Sequence, residues 1–125
     1  MTIPKDLKYT RDHEWVRIDG DIATVGITDH AQSELGDIIF IEFPDLNQEL
    51  AQEEPFGTIE AVKTVADLYA PLSGKVIKIN QDLEGNPVAV NEDPYNSGWI
   101  IKIKLSNSAR IEALLNADSY QDLIA

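Results

Sequence analysis

A single lysine interrupts a run of small apolar residues in the stretch EAVKTVAD, residues 60–67. Lys63 has Glu60 three positions before it and Asp67 four positions after it, so a carboxylate brackets the segment on each side. An ammonium group placed in this way is unusual, whereas the ordinary role of a surface lysine is simply to be solvated. Lys63 is therefore the first candidate functional residue.

A second group of candidates is His13, Glu14 and His30, which in principle could hold a divalent metal. Two histidines this far apart in the sequence are a poor metal signal, so we predict no metal site. Glu14 and Asp67 could form the acid–base pair of a hydrolase, but their spacing does not support that chemistry. No Ser/His/Asp order suggests a nucleophile, and GTIEAVKT lacks the G-K-[ST] ending of a phosphate-binding loop.

The chain is strongly acidic, with 10 Lys and Arg against 22 Asp and Glu and a formal net charge of −12. A field of this sign repels phosphate backbones, so we expect no nucleic-acid partner. It favours partners with basic docking patches, although solubility alone also accounts for it. The absence of cysteine excludes disulfides, thiolate metal sites and a cysteine nucleophile. Any redox chemistry therefore needs an imported group.

Length and hydropathy predict one domain, residues 1–125, with no membrane partner. A chain of 125 residues fits a single domain, and no apolar run is long enough to span a bilayer. The first residues, MTIPKDLKYTRDHEW, have no apolar core and do not look like a secretory signal. We expect a cytoplasmic bacterial protein, or a processed protein of the mitochondrial matrix. No long apolar stripe is left over, so we expect a monomer.

Alternating and β-branched segments predict short strands separated by turns. The predicted strands are 13–18, 22–27, 38–43, 55–62, 75–79 and 99–105. Asp19-Gly20-Asp21 supplies the turn between the first two, and Pro44 ends the third. Several short strands followed by a helical tail favour a compact β-sandwich or flattened barrel.

Capping residues and apolar spacing predict three helices. These helices are 28–36, 109–115 and 119–125. Thr28 or Asp29 caps the first helix, and Gly36 closes it. Asp118 or Ser119 caps the third.

Three segments give weaker signals. Residues 47–55 are polar and predict a solvated loop or edge, and residues 81–98 are rich in turn formers. The segment IEAVKTVADLY, 59–69, supports either a helix or a hairpin. It has good helix formers with an apolar face, but its Val and Thr residues also suit strands, and no Asn-Gly or Gly-Gly marks a hairpin tip.

Three blocks of the sequence resemble the H proteins of the glycine cleavage system. The first is GTIEAVKTVADLYAPLSGKV, residues 57–76, which resembles their lipoyl-attachment segment. The second is YTRDHEWVRIDGDIATVGIT, with its HEW core, and the third is DPYNSGWIIKIK, followed by ALLNADSYQDLI. A lone E-x-V-K would be weak evidence, but three blocks in order and at matching spacing cover nearly the whole chain.

The resemblance implies an all-β fold, a barrel-sandwich hybrid of two flattened antiparallel sheets with short C-terminal helices. It implies that Lys63 stands at a hairpin tip and carries lipoate through an amide bond. Small neighbours leave room around such a tip, and a lipoate ligase or lipoyltransferase can reach it. Glu60 and Asp67 could help to present the segment to the modifying enzyme, which is a hypothesis.

The resemblance also implies a carrier and not an enzyme. A pyridoxal-phosphate glycine decarboxylase would load an aminomethyl group on the lipoyl arm, and an aminomethyltransferase would pass its carbon to tetrahydrofolate. A dihydrolipoyl dehydrogenase that contains FAD would reoxidise the arm, with NAD as the acceptor. The partners hold those cofactors. The absence of protein thiols fits this interpretation, because no cysteine competes for exchange with the dithiolane.

In the resembling family, the loaded arm folds into a cleft on the protein surface. Glu14 and Asp67 match positions associated with that cleft, and Asp12 lies beside them. A carboxylate there can form a charge-assisted hydrogen bond with the aminomethyl group. Asp12 departs from the small hydroxyl residue expected at its position, so its extra charge could change how tightly the arm is held.

Other carriers and other classes remain as alternatives. Lipoyl domains of 2-oxo-acid dehydrogenases usually have Asp before the lysine and lack the HEW block. Biotin carriers flank their lysine with methionines, whereas Val62 and Thr64 flank Lys63 here. An H-like protein that donates lipoate in relay to other 2-oxo-acid dehydrogenase complexes would have the same attachment segment. An unmodified β-domain used only for assembly is the alternative from a different class.

Overall fold

Two antiparallel sheets face each other across one apolar core. The computed structural model describes residues 2–125, and its large sheet has the strand order β1-β2-β3-β9-β8-β5. Its strands are β1 (Lys8–Tyr9), β2 (Glu14–Asp19), β3 (Ile22–Ile27), β5 (Glu49–Leu50), β8 (Gly74–Ile79) and β9 (Ile101–Leu105). The small sheet has the order β4-β6-β7, with β4 (Ile38–Glu42), β6 (Pro55–Ala61) and β7 (Val65–Tyr69). The predicted all-β, two-sheet fold is confirmed.

The inward faces of the two sheets carry aliphatic side chains that form the main core. These include Val16, Val25, Val76 and Ile103 from the large sheet, and Ile38, Ile41, Ile59 and Leu68 from the small sheet. Burial of one such side chain contributes about 1.5–3 kcal/mol, so the facing surfaces hold the sheets together.

The outer face of β2 is covered as well as its inner face. Trp15 and Val16 are consecutive and point to opposite faces, yet both are fully buried. Val16 packs in the main core. Trp15 packs in a second cluster with Leu7, Tyr9, Tyr95, Ala117 and Tyr120. The N-terminal segment and the C-terminal helix therefore form a third layer on this part of the large sheet.

The helices are α1 (Asp29–Leu35), α2 (Asp82–Gly85), α3 (Ala89–Glu92) and α4 (Ala117–Ile124). Thr28 caps α1 as predicted, because its Oγ1 accepts a hydrogen bond of 3.1 Å from the N–H of Ala31. The predicted cap of the last helix is wrong. Asn116 caps α4, and its Oδ1 accepts from the N–H of Ser119 at 2.8 Å. None of the helices in residues 2–125 is long and apolar enough to cross a membrane.

The helix predicted over 109–115 is also wrong, because only Ile111–Ala113 form a single 3-10 turn. The N–H of Tyr9 donates to the carbonyl of Leu115, and the N–H of Leu115 donates to the carbonyl of Tyr9, both at 2.8 Å. Leu115 therefore pairs with β1 as a bridge. A backbone engaged in this way cannot also continue a helix.

Candidate functional site

Lys63 lies at the tip of the hairpin that joins β6 to β7. The turn contains Val62, Lys63 and Thr64, and it is closed by a hydrogen bond of 2.8 Å from the N–H of Ala61 to the carbonyl of Thr64. The N–H of Val62 donates to the carbonyl of Asp37 at 3.0 Å, which ties the tip to the residue before β4. The segment that sequence patterns left open between helix and hairpin is thus a hairpin.

Strand pairing explains why the hairpin forms in place of a helix. β6 is the central strand of the small sheet, so Ile59 pairs with Ile41 on one side and with Ala66 on the other. A helix over residues 59–69 would leave the N–H and C=O groups of β4 without their partners in β6. Unpaired backbone groups cost more than the small difference in helix and strand propensity over a few residues.

The side chain of Lys63 is exposed and extends past the C-terminal end of α1. A Cβ added to Gly36 would lie 3.4 Å from Cε and 3.9 Å from Nζ of Lys63. Gly36 has a φ of +80°, a backbone conformation that residues other than glycine rarely adopt. Within residues 2–125, no carboxylate forms a salt bridge with the Lys63 amine. The amine is therefore accessible and free of an ion pair.

A cleft of about 370 Å³ opens between α1 and β7, beside the hairpin. Its apolar walls are formed by Ile27, Leu35, Ile59, Ala66 and Leu68. Its polar groups come from Asp12, His13, Glu14, His30, Glu34 and Asp67. A volume in the range of about 300–1,000 Å³ with apolar walls and a few polar groups is typical of a ligand site.

Three of the four residues selected from the sequence meet in this cleft. Asp12 and Glu14 come from the turn and strand at the start of β2, whereas Asp67 comes from β7 in the other sheet. Lys63 does not line the cleft. Lys63 lies next to the cleft. Its side chain passes Gly36, and Gly36 directly follows Leu35, which lines the cleft.

Glu14 is the most buried carboxyl group of the cleft, with 2% of its surface exposed. Its Oε1 accepts a hydrogen bond of 2.7 Å from Oγ1 of Thr10, and its Oε2 accepts one of 3.3 Å from the N–H of Tyr69. Burial raises the pKa of Glu14 to about 8, and the nearby charge of Asp12 adds to that rise, although both hydrogen bonds oppose it. Glu14 is therefore mostly neutral at pH 7.

His13 is held in position by the C-terminal helix. It has a φ of +69°, and its Nδ1 lies 2.9 Å from the hydroxyl of Tyr120 in α4. The same hydroxyl lies 2.7 Å from Oγ1 of Thr28, the cap of α1. Burial lowers the pKa of His13, and the neighbouring His30 ring, with its centroid 4.9 Å away, lowers it further. A neutral His13 thus borders the cleft at pH 7.

The arrangement gives no support to a metal centre. His13, Glu14 and His30 all border the cleft, but the part of the chain that the structure describes has no group of three His, Cys, Asp or Glu side chains placed to hold a metal ion. Both carboxyl oxygens of Glu14 are also engaged by Thr10 and Tyr69. The cleft combines apolar walls with acidic and imidazole side chains.

Sequence reasoning missed two contributions to the cleft. Glu34 lines it one helical turn after His30, and this i, i+4 spacing on α1 was a usable signal. The Tyr120 hydroxyl contacts both Thr28 and His13. No local signal predicts these two contacts, because Tyr120 lies 92 residues from Thr28 and 107 from His13.

Comparison with known proteins agrees with the fold and with the resemblance seen in the sequence. The model of the family described as Glycine cleavage H-protein matches residues 7–125. A crystal structure of a glycine cleavage system H protein from Mycobacterium marinum is 37% identical in sequence, with a TM-score of 0.88. The match covers 96% of this chain and 97% of that chain.

Proposed function

We propose that this chain, which belongs to the glycine cleavage H-protein family, carries lipoate on Lys63 and serves as the carrier between the enzymes of glycine cleavage. The observation that carries the proposal is an exposed lysine amine, without a salt bridge to any residue in 2–125, at the tip of a hairpin closed by its own hydrogen bond. An amine at such a tip can enter the active site of a ligase without unfolding of the surrounding strands. The lipoyl group, once attached, supplies a dithiolane that accepts and releases the aminomethyl group of glycine.

The cleft fits an arm that starts at Lys63. Leu35, Ile59 and Leu68 offer an apolar surface for a methylene chain, and the cleft begins next to the residue that Lys63 passes. Burial of such a chain is favourable by about 0.8 kcal/mol for each CH₂ group. The apolar walls would therefore hold the arm against the protein and keep water away from its end.

Glu14 and Asp67 would recognise the amine at the end of a loaded arm. Glu14 is neutral in the empty cleft at pH 7, because its pKa is about 8. A cationic amine within hydrogen-bond distance would favour the carboxylate and would lower that pKa again. Arrival of the amine would then release the proton of Glu14, and a charge-assisted hydrogen bond would form in a buried place.

The test is a glycine cleavage assay with three purified partner enzymes: the glycine decarboxylase, the aminomethyltransferase and the dihydrolipoyl dehydrogenase. Coexpression with a lipoate ligase or lipoyltransferase, in the presence of lipoate, should add one lipoyl mass to a peptide that contains Lys63. The variant Lys63→Arg should keep its fold but lose both the added mass and glycine cleavage. Lys78→Arg, at an exposed lysine of β8, is the matched control and should retain both.

The outcomes separate the alternatives. Lipoylation at Lys63 without glycine cleavage by the parent chain would support the donor in lipoate relay. Absence of the lipoyl mass after coexpression would support an unmodified β-domain used for assembly. Glycine cleavage by Lys63→Arg would contradict the proposal directly.

A further inference from the structure

Thr10 contacts the Glu14 carboxyl group from outside the cleft. Its Oγ1 lies 2.7 Å from Oε1 of Glu14. Thr10 does not line the cleft, but lines a smaller cavity of about 140 Å³ that shares Asp12 and Glu14 with it. An arm bound in the cleft would therefore meet Glu14 but not Thr10. Any effect of Thr10 on the arm must pass through the Glu14 carboxyl group.

The other contacts of the Thr10 hydroxyl fix the direction of this hydrogen bond. The backbone N–H groups of Asp12 and Glu14 both donate to Oγ1 of Thr10, each at 3.2 Å. A hydroxyl oxygen has two lone pairs and one proton, so these two donors leave only the proton for the carboxyl group. Thr10 is therefore a donor to Oε1 of Glu14 and cannot accept a hydrogen bond from it.

The two carboxyl oxygens of Glu14 are thus unequal. Oε1 accepts the short hydrogen bond from Thr10, whereas Oε2 accepts only the longer one, 3.3 Å, from the N–H of Tyr69. The carbonyl oxygen of a neutral carboxylic acid is its better acceptor, so Oε1 is the carbonyl oxygen and the proton lies on Oε2. Oε2 contacts β7, the strand that also supplies Asp67 to the cleft.

Thr10 also favours the charged form of Glu14. Burial raises the pKa of Glu14, and the hydrogen bond from Thr10 is the strongest contact that lowers this pKa, ahead of the one from Tyr69. Other titratable groups surround Glu14, and those in the cleft are Asp12, His13, His30, Glu34 and Asp67. Tyr9, Arg11 and Glu53 border the smaller cavity. Burial, together with the charge of Glu14, raises the pKa of Tyr120 in α4. Within residues 2–125, however, Thr10 is the only side chain that donates to the Glu14 carboxyl group.

We propose that Thr10 is a positioning residue for the loaded arm, because its hydroxyl holds Oε1 of Glu14 as an acceptor and leaves Oε2 to bind the cationic amine. The inference rests on the proposed function. When the amine arrives, the O–H bond at Oε2 breaks and its proton passes to water. The amine keeps its own protons and donates one of them to Oε2 in a charge-assisted hydrogen bond.

The test compares Thr10→Val, which keeps the shape of the side chain without the hydroxyl, with Thr10→Ser, which keeps the hydroxyl. Each lipoylated chain is loaded from glycine by purified glycine decarboxylase, and the release of formaldehyde and ammonia gives the lifetime of the aminomethyl group. Thr10→Val should speed this release about tenfold, because a hydrogen bond that stabilises the carboxylate is lost. Thr10→Ser should stay within about twofold of the parent.

The ionisation of Glu14 gives a second readout, which needs no lipoyl group. Titration of the unmodified chain, followed by NMR at the carboxyl carbon, should place the midpoint of Glu14 about one pH unit higher in Thr10→Val than in the parent. Thr10→Ser should leave the midpoint unchanged. In the parent, the Cβ signal of Thr10 should shift with the same midpoint as Glu14. This last measurement uses no variant, so it decides the matter if Thr10→Val does not fold.

A double-mutant cycle separates action through Glu14 from a general change in the turn. In a chain that carries Glu14→Ala, Thr10→Val should change the release rate by less than about twofold, because the carboxyl group through which Thr10 acts is absent. A full effect of Thr10→Val in the Glu14→Ala chain would overturn the proposal. So would release from Thr10→Ser as fast as from Thr10→Val, or a Thr10 signal that does not follow the titration of Glu14.

Failure of the proposed function looks different from failure of this inference. The lipoylated parent would then accept no aminomethyl group from glycine. The titrations of the unmodified chain would still show whether the Thr10 hydroxyl controls the ionisation of Glu14.

Discussion

The backbone N–H of Tyr69 donates a hydrogen bond of 3.3 Å to Oε2 of Glu14. Glu14 begins β2 of the large sheet, and Tyr69 ends β7 of the small sheet. One buried carboxyl group therefore links the two sheets beside the cleft. It contacts the last residue of β7, the strand that follows the Lys63 hairpin. Its protonation state affects both stability and the chemistry of the cleft.

Glu14 should make the protein less stable as the pH rises from about 4.5 to 8. Its pKa is about 8 in the folded chain against 4.5 for an unperturbed glutamate, so the folded state holds one more proton in this window. Stability must then fall with rising pH. In Glu14→Gln this contribution to the pH dependence should disappear. As the pH rises from 5 to 8.5, the free energy of unfolding of the variant should therefore increase by roughly 2–4 kcal/mol relative to that of the parent.

Urea unfolding at about pH 5 and at about pH 8.5 provides the measurement of the unfolding free energy. Glu84→Gln, at an exposed position in α2, is the control and should follow the parent. A parallel pH dependence in Glu14→Gln and the parent would show that Glu14 is ionised in the folded protein at pH 7.

Glu14→Ala should shorten the lifetime of the aminomethyl group on the arm without affecting lipoylation of Lys63. The variant removes the carboxyl group that would bind the amine, whereas the hairpin tip keeps its own turn hydrogen bond between Ala61 and Thr64. A charge-assisted hydrogen bond of this kind contributes about 1.5–3 kcal/mol. Its loss should increase the fraction of time that the loaded arm is exposed to water, and therefore the rate of its hydrolysis, roughly tenfold or more. The release of formaldehyde and ammonia from the loaded chain gives the rate, and equal rates in variant and parent would exclude Glu14 from arm binding.

Tyr120→Phe should destabilise the protein by about 1–2 kcal/mol and should change the environment of His13. The hydroxyl that is lost joins α4 to Thr28 and to Nδ1 of His13, and its removal leaves both groups without this partner. Tyr120 is fully buried, so water cannot readily replace it. The pKa of His13, followed by NMR, distinguishes this local effect from general loosening, since an unchanged pKa would show that the hydroxyl does not position the ring.

Gly36→Ala should destabilise the protein by about 1–3 kcal/mol, because its φ of +80° is strained for any residue with a Cβ. The added methyl group would also lie 3.4 Å from Cε of Lys63, so it should alter the rate of lipoylation. Gly85→Ala is the control, because nothing lies within 4 Å of its added Cβ and its φ is not positive. Equal Tm values for the two variants would contradict the strain argument.

Local signals in the sequence were sufficient for several elements. The hairpin around Asp19-Gly20-Asp21 and the cap at Thr28 depend on contacts within a few residues, so they could be predicted. The cap of α4 was missed, although the signal was local, because Asn116 competes with two other capping residues, Asp118 and Ser119, in the same short segment. The helix predicted at 109–115 failed for a nonlocal reason, namely the pairing of Leu115 with Tyr9.

By itself the sequence determined the all-β class, the acidic charge and Lys63 as the residue to examine, because these depend on residue types and short spacing. Residue patterns left the Lys63 segment open between helix and hairpin, and the resemblance implied a hairpin. The tertiary structure gives the physical reason, since the backbone groups of β6 find their partners in β4, more than 15 residues earlier. It also brings Asp12, Glu14 and Asp67 to one cleft, and only the tertiary structure shows that burial raises the pKa of Glu14 to about 8. Burial and long-range pairing arise when separate strands pack together, and no stretch of sequence contains that information alone.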